Sequence, residues 1–312
     1  MRFAAVLWVV VFCIEGVGRA PAQPVQTGHV AMGDGTRLHY EIVGHGKDVV
    51  VVPMAMYLSE ALVPLAEGRR IVFYDPRNRG ASDAADLATV SLDRQIEDLD
   101  QLREALGIER MALIGWSGLG MEMAVYAIRH PDRVTRLVQV SAVPPTAAMM
   151  AASGDRRAGR VDQTAVAVVD SLASAGAIDS EEHCRRRRQL TEAANFEDPS
   201  LATRVPNPCR YENEWPVNLW PYFEALLGSF GEYDWLEEIG GLDIPRLVIH
   251  GREDGIPMEG GRAWAAGFPA ARFLELSPAG HFPFLEQPAA FFPAVDRFLD
   301  GDWPDGAVLV EE

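Results

Sequence analysis

Positive charge, cysteine and long apolar runs are all scarce in this sequence. Of its 312 residues, 28 are basic and 45 are acidic, which gives a formal net charge of −17. A surface with so much negative charge repels nucleic acids and anionic membranes, so we expect neither as a partner. After the first 22 residues, no stretch approaches the roughly 20 apolar residues that a membrane-spanning helix needs.

Only three cysteines are present. Cys13 lies in the N-terminal apolar run, which leaves Cys184 and Cys209 in the rest of the chain. In an oxidising compartment these two either form a disulfide or remain as two unpaired thiols. Neither has a second cysteine or a well-spaced histidine nearby beyond His183, so the sequence does not favour a metal site. We expect no cofactor.

Residues 1–22 have the pattern of a secretory signal peptide. Arg2 supplies a short positive region, residues 3–14 form the apolar run, and Ala20-Pro21-Ala22 matches an A-x-A cleavage site. We expect cleavage after Ala22, with the mature chain either secreted or periplasmic. The alternative is that the segment is retained as an anchor.

Alternating strand and helix patterns predict the fold class. A hairpin is expected around Asp34-Gly35, and the apolar runs 48–52 and 70–74 are typical of buried parallel strands. Helically spaced apolar residues over 92–106 and further strand–helix pairs up to residue 299 continue the alternation. We therefore expect an α/β fold with a doubly wound, mostly parallel sheet.

This alternation breaks between residues 143 and 238. The interval lacks strand signals, carries helical stretches over 162–175, 181–194 and 220–227, and is rich in aromatic residues. We interpret it as a helical cap inserted over the strand ends, between core segments at 23–142 and 239–300. Residues 301–312 are expected to form a loosely docked tail.

The most informative stretch is Gly115-Trp116-Ser117-Gly118-Leu119-Gly120, which directly follows the apolar run 111–114. A strand that runs into a glycine-flanked serine and then into a helix describes a nucleophile elbow, with the serine on a strained turn. Gly115 is the small residue required two positions before the serine. Leu119 stands where the usual pattern has glycine, so this stretch alone also fits an ordinary turn.

Two later strands each end near a residue suited to act with Ser117. The strand at 244–250 runs into a loop that contains Asp254, and the strand at 271–276 runs into a loop that contains His281. A serine hydroxyl needs a base to take its proton, and the base needs a third group to orient it. The order Ser117, Asp254, His281 predicts a catalytic triad, with Glu253 as a competing carboxylate.

With these motifs the chain resembles the α/β-hydrolase fold superfamily and, within it, the cap-bearing proline iminopeptidase-like group. Residues 74–83 match the D-x-R-G-x-G-x-S segment of the family, with Asn78 in place of the first glycine. Residues 280–288 match its histidine segment.

The resemblance implies an oxyanion hole built from two backbone N–H groups. One belongs to Gly118, the residue after the nucleophile, and the other follows the third strand. There the usual His-Gly is replaced by Pro53-Met54, and proline has no N–H to donate. The second donor is therefore expected to be Ala55, with Met54 as the alternative.

The implied activity is that of a secreted serine hydrolase acting on a small molecule or a short peptide. Iminopeptidase relatives read the free amine of the substrate with cap glutamates. Glu212 and Glu214 are candidates for that role, or else they are two solvated carboxylates of an acidic protein. Trp116, next to the nucleophile, is a further candidate for substrate binding. An esterase or lactonase without peptidase activity stays open, and the rival class is a non-catalytic ligand-binding protein on a hydrolase scaffold.

Overall fold

The computed structural model describes residues 25–153, 158–211, 213–214 and 219–311. The expected signal peptide at 1–22 and the candidate Glu212 lie outside these ranges.

Eight strands in the described ranges form one sheet. They are β1 (Val25–Ala31), β2 (Arg37–Gly44), β3 (Val49–Pro53), β4 (Arg70–Tyr74), β5 (Met111–Trp116), β6 (Val134–Val140), β7 (Arg246–Gly251) and β8 (Ala271–Leu276). Their order across the sheet is β1-β2-β4-β3-β5-β6-β7-β8. β2 runs antiparallel to β1 and β4, and all the other pairs are parallel. The predicted mostly parallel α/β sheet is confirmed.

Helices cover both faces of this sheet. In the described ranges they are α1 (Ala55–Leu62), α2 (Leu92–Ala105), α3 (Gly118–Arg129), α4 (Ala147–Ser153), α5 (Gln163–Ser174), α6 (Ser180–Ala193), α7 (Leu219–Gly228), α8 (Leu236–Gly240), α9 (Met258–Ala263), α10 (Pro283–Glu286) and α11 (Pro288–Leu299). None of the helices in this part of the chain combines the length and apolar character needed to cross a bilayer.

Strand β3 shows why the central strands are apolar throughout. Val50 and Val52 belong to one core cluster, which includes residues of α1 and α11. Val49 and Val51 belong to a second cluster, which includes residues of α2 and α3. Successive side chains of a strand point to opposite faces, and here both faces are covered, so no position is left for a polar residue.

The interval predicted as a cap is helical in its described parts and includes α4, α5, α6 and α7. Near its two ends, Thr146 and Asp234 form an antiparallel bridge. Asp162 and Asp179 each accept a backbone N–H in the first turn of α5 and α6, which explains where these helices begin.

The C-terminal tail is docked more firmly than the sequence led us to expect. Val308 exchanges two backbone hydrogen bonds with Phe273 of β8, at 2.8 and 2.9 Å. The carbonyl of Val310 accepts the N–H of Gly267 at 2.9 Å. Unpaired N–H and C=O groups on an edge strand need partners, and the tail supplies some of them to β8. The expectation of a loosely docked end was therefore wrong.

Cys184 on α6 and Cys209 are joined in a disulfide, with their Cα atoms 5.9 Å apart. Both cysteines are buried. The bond closes a loop of 25 residues and links α6 to the segment that leads toward Glu214.

We expect reduction of this disulfide to lower the free energy of unfolding by about 3 kcal/mol, because the reduced unfolded chain regains the entropy of an open loop. Urea unfolding with and without dithiothreitol measures the difference. The double variant Cys184→Ser/Cys209→Ser serves as the control, since its stability should not respond to the reductant. Equal unfolding midpoints for the oxidised and reduced wild type would contradict the prediction.

Candidate active site

Ser117 lies at the junction between β5 and α3. Its backbone has φ 58° and ψ −129°, a conformation that costs a non-glycine residue free energy. This turn presents the serine at the carboxyl end of a central strand, where the side chain is only half-buried. The strained junction is the geometry expected of a nucleophile elbow.

The turn depends on small residues on both sides. A Cβ atom at Gly115 would lie 2.3 Å from the carbonyl oxygen of Leu119, which no side chain could tolerate. A Cβ atom at Gly120 would lie 2.7 Å from the Cβ of Ala142, at the end of the neighbouring strand. Gly120 thus provides the close approach that the family pattern assigns to the position of Leu119, and Leu119 instead packs its side chain against the core.

The loops that follow β7 and β8 bring Asp254 and His281 to Ser117. The Ser117 hydroxyl lies 3.0 Å from Nε2 of His281. Nδ1 of the same ring lies 2.9 and 3.0 Å from the two carboxylate oxygens of Asp254. Asp254 and His281 are both buried. In this arrangement Nδ1–H donates to the carboxylate, which leaves Nε2 free to accept the serine proton.

The carboxylate of Asp254 is held ionised and oriented. It also accepts the N–H of Ile256 at 2.9 Å. Burial by itself raises the pKa of Asp254, but the adjacent His281 and these hydrogen bonds outweigh it, so the pKa lies below the usual value. The competing Glu253 accepts from Ser277 and Ala279 and so braces the histidine loop instead.

Trp116, the residue before Ser117, contacts His281 in two ways. Its indole Nε1–H donates to the main-chain carbonyl of His281 at 2.7 Å. Its ring also lies beside the imidazole, with centroids 4.9 Å apart. Trp116 therefore holds the histidine loop, a contact between residues 165 positions apart that nothing in the sequence indicates.

The second predicted oxyanion donor lies at the start of α1. Met54 caps this helix in the left-handed region, with φ 66° and ψ 55°. Ala55 and Gly118 are the first residues of α1 and α3, so their N–H groups have no acceptor within their own helices. Because β3 and β5 are paired neighbours, both helices start at the same edge of the sheet.

Asp75, at the end of β4, fixes the start of α1. Its Oδ1 accepts the N–H of Met56 at 2.9 Å, and its Oδ2 accepts the N–H of Ala81 at 3.0 Å. Burial raises the pKa of Asp75 to about 6, although both backbone hydrogen bonds oppose this. Asp75, which matches the aspartate of the D-x-R-G-x-G-x-S segment, thus orients the backbone next to Ala55.

Glu214 has partners of its own within the protein. Both of its carboxylate oxygens bind the guanidinium of Arg79, at 2.8 and 2.9 Å, and Oε1 also accepts the N–H of Gly80. The side chain is only 1% exposed. Both expectations for Glu214, an amine-reading residue or a solvated carboxylate, are corrected accordingly: its charge is matched by Arg79, and the pair joins the interval predicted as a cap to the loop after β4.

The sequence of the chain matches a known family. A family profile described as the alpha/beta hydrolase fold matches residues 53–288, three quarters of the chain. The chain belongs to the α/β-hydrolase fold family. As in other hydrolases of this fold, the serine, acid and histidine follow in that order and each lies just beyond a strand.

Curated relatives within the family differ in activity. A proline iminopeptidase from Heyndrickxia coagulans is 22% identical over 82% of this chain and 92% of its own length. A pimeloyl-(acyl-carrier protein) methyl ester esterase from Nitrosomonas europaea is 28% identical over 83% of this chain and 98% of its own.

Solved structures show the same fold. A hydrolase from Pseudomonas aeruginosa PA01 superposes with a TM-score of 0.66 at 23% identity, covering 88% of this chain and 98% of that one. The enol-lactonase from Burkholderia xenovorans LB400 superposes with a TM-score of 0.63 at 21% identity, covering 88% and 100% of the two chains. At these identities the likeness is one of fold alone.

A further buried carboxyl, Glu122, lies on α3 five residues after the serine and is 2% exposed. Burial raises its pKa to about 8, and the field of Arg79 only partly opposes this. Because the folded pKa lies above the unfolded value of 4.5, the protonated form stabilises the hydrolase at low pH. That stability is lost as the pH rises from the unfolded toward the folded pKa.

We therefore expect Glu122→Gln to be more stable than the wild type at pH 9 and to differ little from it at pH 5. Urea unfolding at the two pH values measures the change. Glu60→Gln, at an exposed position of α1, is the control and should show the same difference from wild type at both pH values. A wild type whose advantage over Glu122→Gln grows with pH would contradict the prediction.

Proposed function

We propose that this protein is a serine hydrolase that cleaves a small ester or amide through an acyl-enzyme intermediate. The observation that carries the proposal is the continuous contact from Ser117 through His281 to Asp254. A hydroxyl is a weak nucleophile until a base removes its proton, and this arrangement supplies both the base and the group that orients it.

In the first half of the reaction, Oγ of Ser117 attacks the carbonyl carbon while its proton passes to Nε2 of His281. Asp254 stays ionised and stabilises the imidazolium that forms. The N–H groups of Gly118 and Ala55 bind the negative oxygen of the tetrahedral intermediate, each contributing about 3 kcal/mol. When the intermediate collapses, His281 returns the proton to the departing alcohol or amine. A water molecule then releases the acyl group by the same steps.

A fluorophosphonate probe should label the purified protein covalently at Ser117. Ser117→Ala should lose labelling, and its kcat on p-nitrophenyl acetate should fall by a factor of about 10⁴ or more. Mass spectrometry of the labelled peptide locates the adduct. Ser171→Ala, an exposed serine of α5, is the matched control and should label like the wild type. Labelling that persists in Ser117→Ala would refute the proposal.

An ester or a lactone is the substrate class that the cap favours. The carboxylate of Glu214 is matched by Arg79 and closed to solvent, so it does not offer a binding site to a substrate amine. The partly exposed side chains of Trp116 and Leu119, on either side of the nucleophile, are apolar and suit an uncharged acyl group. The relative named as a methyl ester esterase supports this class.

An aminopeptidase is the second candidate, supported by relatives named as proline iminopeptidases that match about four fifths of the chain. Comparing prolyl p-nitroanilide with its N-acetylated form separates the two candidates. We expect acetylation to change kcat/KM by less than about tenfold, because an esterase does not read the amine. If acetylation abolishes turnover, the enzyme is an aminopeptidase.

A further inference from the structure

Glu192, in the last turn of cap helix α6, connects the cap to the catalytic loops. Its Oε1 accepts hydrogen bonds from the hydroxyl of Tyr57 and from Arg188, both at 2.8 Å. Its Oε2 accepts the side-chain N–H of Asn195 at 2.9 Å. Tyr57 belongs to α1, two residues after the proposed oxyanion donor Ala55. One carboxylate from the cap therefore contacts both a core helix and the next segment of the cap.

Asn195 carries this connection to the base. Its main-chain carbonyl accepts the N–H of His281 at 2.7 Å. The carbonyl of His281 in turn accepts the indole N–H of Trp116, also at 2.7 Å. The main chain of His281 is thus held from the cap on one side and from the nucleophile elbow on the other.

Tyr57 completes a closed ring of contacts. Its aromatic ring stacks on Trp116, with centroids 5.5 Å apart and planes inclined by 19°. The contacts run from Glu192 to Tyr57, Trp116, His281, Asn195 and back to Glu192. We refer to these five residues as the cap clamp. It joins the cap, α1, the strand before the nucleophile and the base loop.

We propose that Glu192 is a positioning residue, which through Tyr57 and Asn195 holds Trp116 and His281 where Ser117 can be deprotonated. This inference rests on the proposed serine hydrolase function. Tyr57 is buried, and a buried hydroxyl that loses its acceptor carries a desolvation cost, so the bond to Glu192 favours the orientation in which its ring stacks on Trp116. Groups that orient catalytic side chains in this way affect the rate without contacting the substrate.

The contacts of Glu192 argue against direct substrate binding. Its charge is matched by Arg188, whose guanidinium also lies over the Tyr57 ring at 5.3 Å from the centroid. With three donors already on its two oxygens, the carboxylate is engaged within the protein.

The test measures kcat and KM for p-nitrophenyl acetate in Glu192→Gln and Tyr57→Phe. We expect each to lower kcat between about tenfold and a hundredfold with KM within about threefold of wild type, because the reacting groups are displaced while the binding surface is retained. The double variant should be no slower than the slower single variant, since either change opens the same ring. Glu182→Gln, which removes a carboxylate paired with Arg185 and Arg186 on the same helix, should leave kcat unchanged.

Unchanged kcat in both variants would overturn the inference. So would an effect confined to the KM of prolyl p-nitroanilide, because Glu192 would then contact the substrate amine. If Glu192→Gln does not fold, Tyr57→Phe carries the test alone, since it keeps the stacked ring and removes only the hydroxyl. The rate of fluorophosphonate labelling at Ser117 of the wild type separates the two proposals. A wild type that is not labelled refutes the hydrolase, whereas a labelled wild type with equally fast variants refutes only the role of Glu192.

Discussion

The turn at Ser117 can close only because there is no side chain at Gly115. The carbonyl of Leu119 occupies the space where a Cβ atom would be, at a distance of 2.3 Å. This close approach lets the chain reverse from β5 into α3 within a single residue, so that the serine projects from the sheet edge. His281 contacts the serine at that point, and Asp254 contacts His281. Both loops come from parallel strands farther along the same edge, which is why residues 164 positions apart in the chain meet at 3.0 Å.

Around this turn, hydrogen bonds to backbone groups hold the residues of the candidate site in place. Asp75 fixes the start of α1 through the N–H of Met56, and Asp254 holds its own loop through the N–H of Ile256. The main chain of His281 is bound on one side by Asn195 and on the other by Trp116. The interval predicted as a cap therefore also supports the loop after β8, since one of its carbonyl groups binds the main chain of His281.

The sequence could predict the elements that have a regular apolar pattern and the site residues that directly follow such a strand. Buried strands read as runs such as Val49 to Val52, and Ser117, Asp254 and His281 each lie just past such a run. The start of α1 gives no comparable signal. Its N-cap residue is Met54, which has a left-handed conformation and makes no side-chain capping hydrogen bond. Partners brought together by the docking of the cap, such as Arg79 with Glu214 or Asn195 with His281, leave no periodic pattern. Neither alternative for Glu214, an amine-reading residue or a solvated carboxylate, anticipates its buried partner Arg79 for that reason.

The buried pair of Arg79 and Glu214 limits how freely this cap could be exchanged. Enzymes that share one fold can differ in the functional sites placed on it. In this chain the core carries a guanidinium that is 4% exposed and has its counter-charge on the cap. A transplanted cap without a carboxylate at this position would leave that charge buried and unpaired, at a cost of about 3–5 kcal/mol. Core and cap are therefore a matched set, and redesign of one has to preserve the complementary charge on the other.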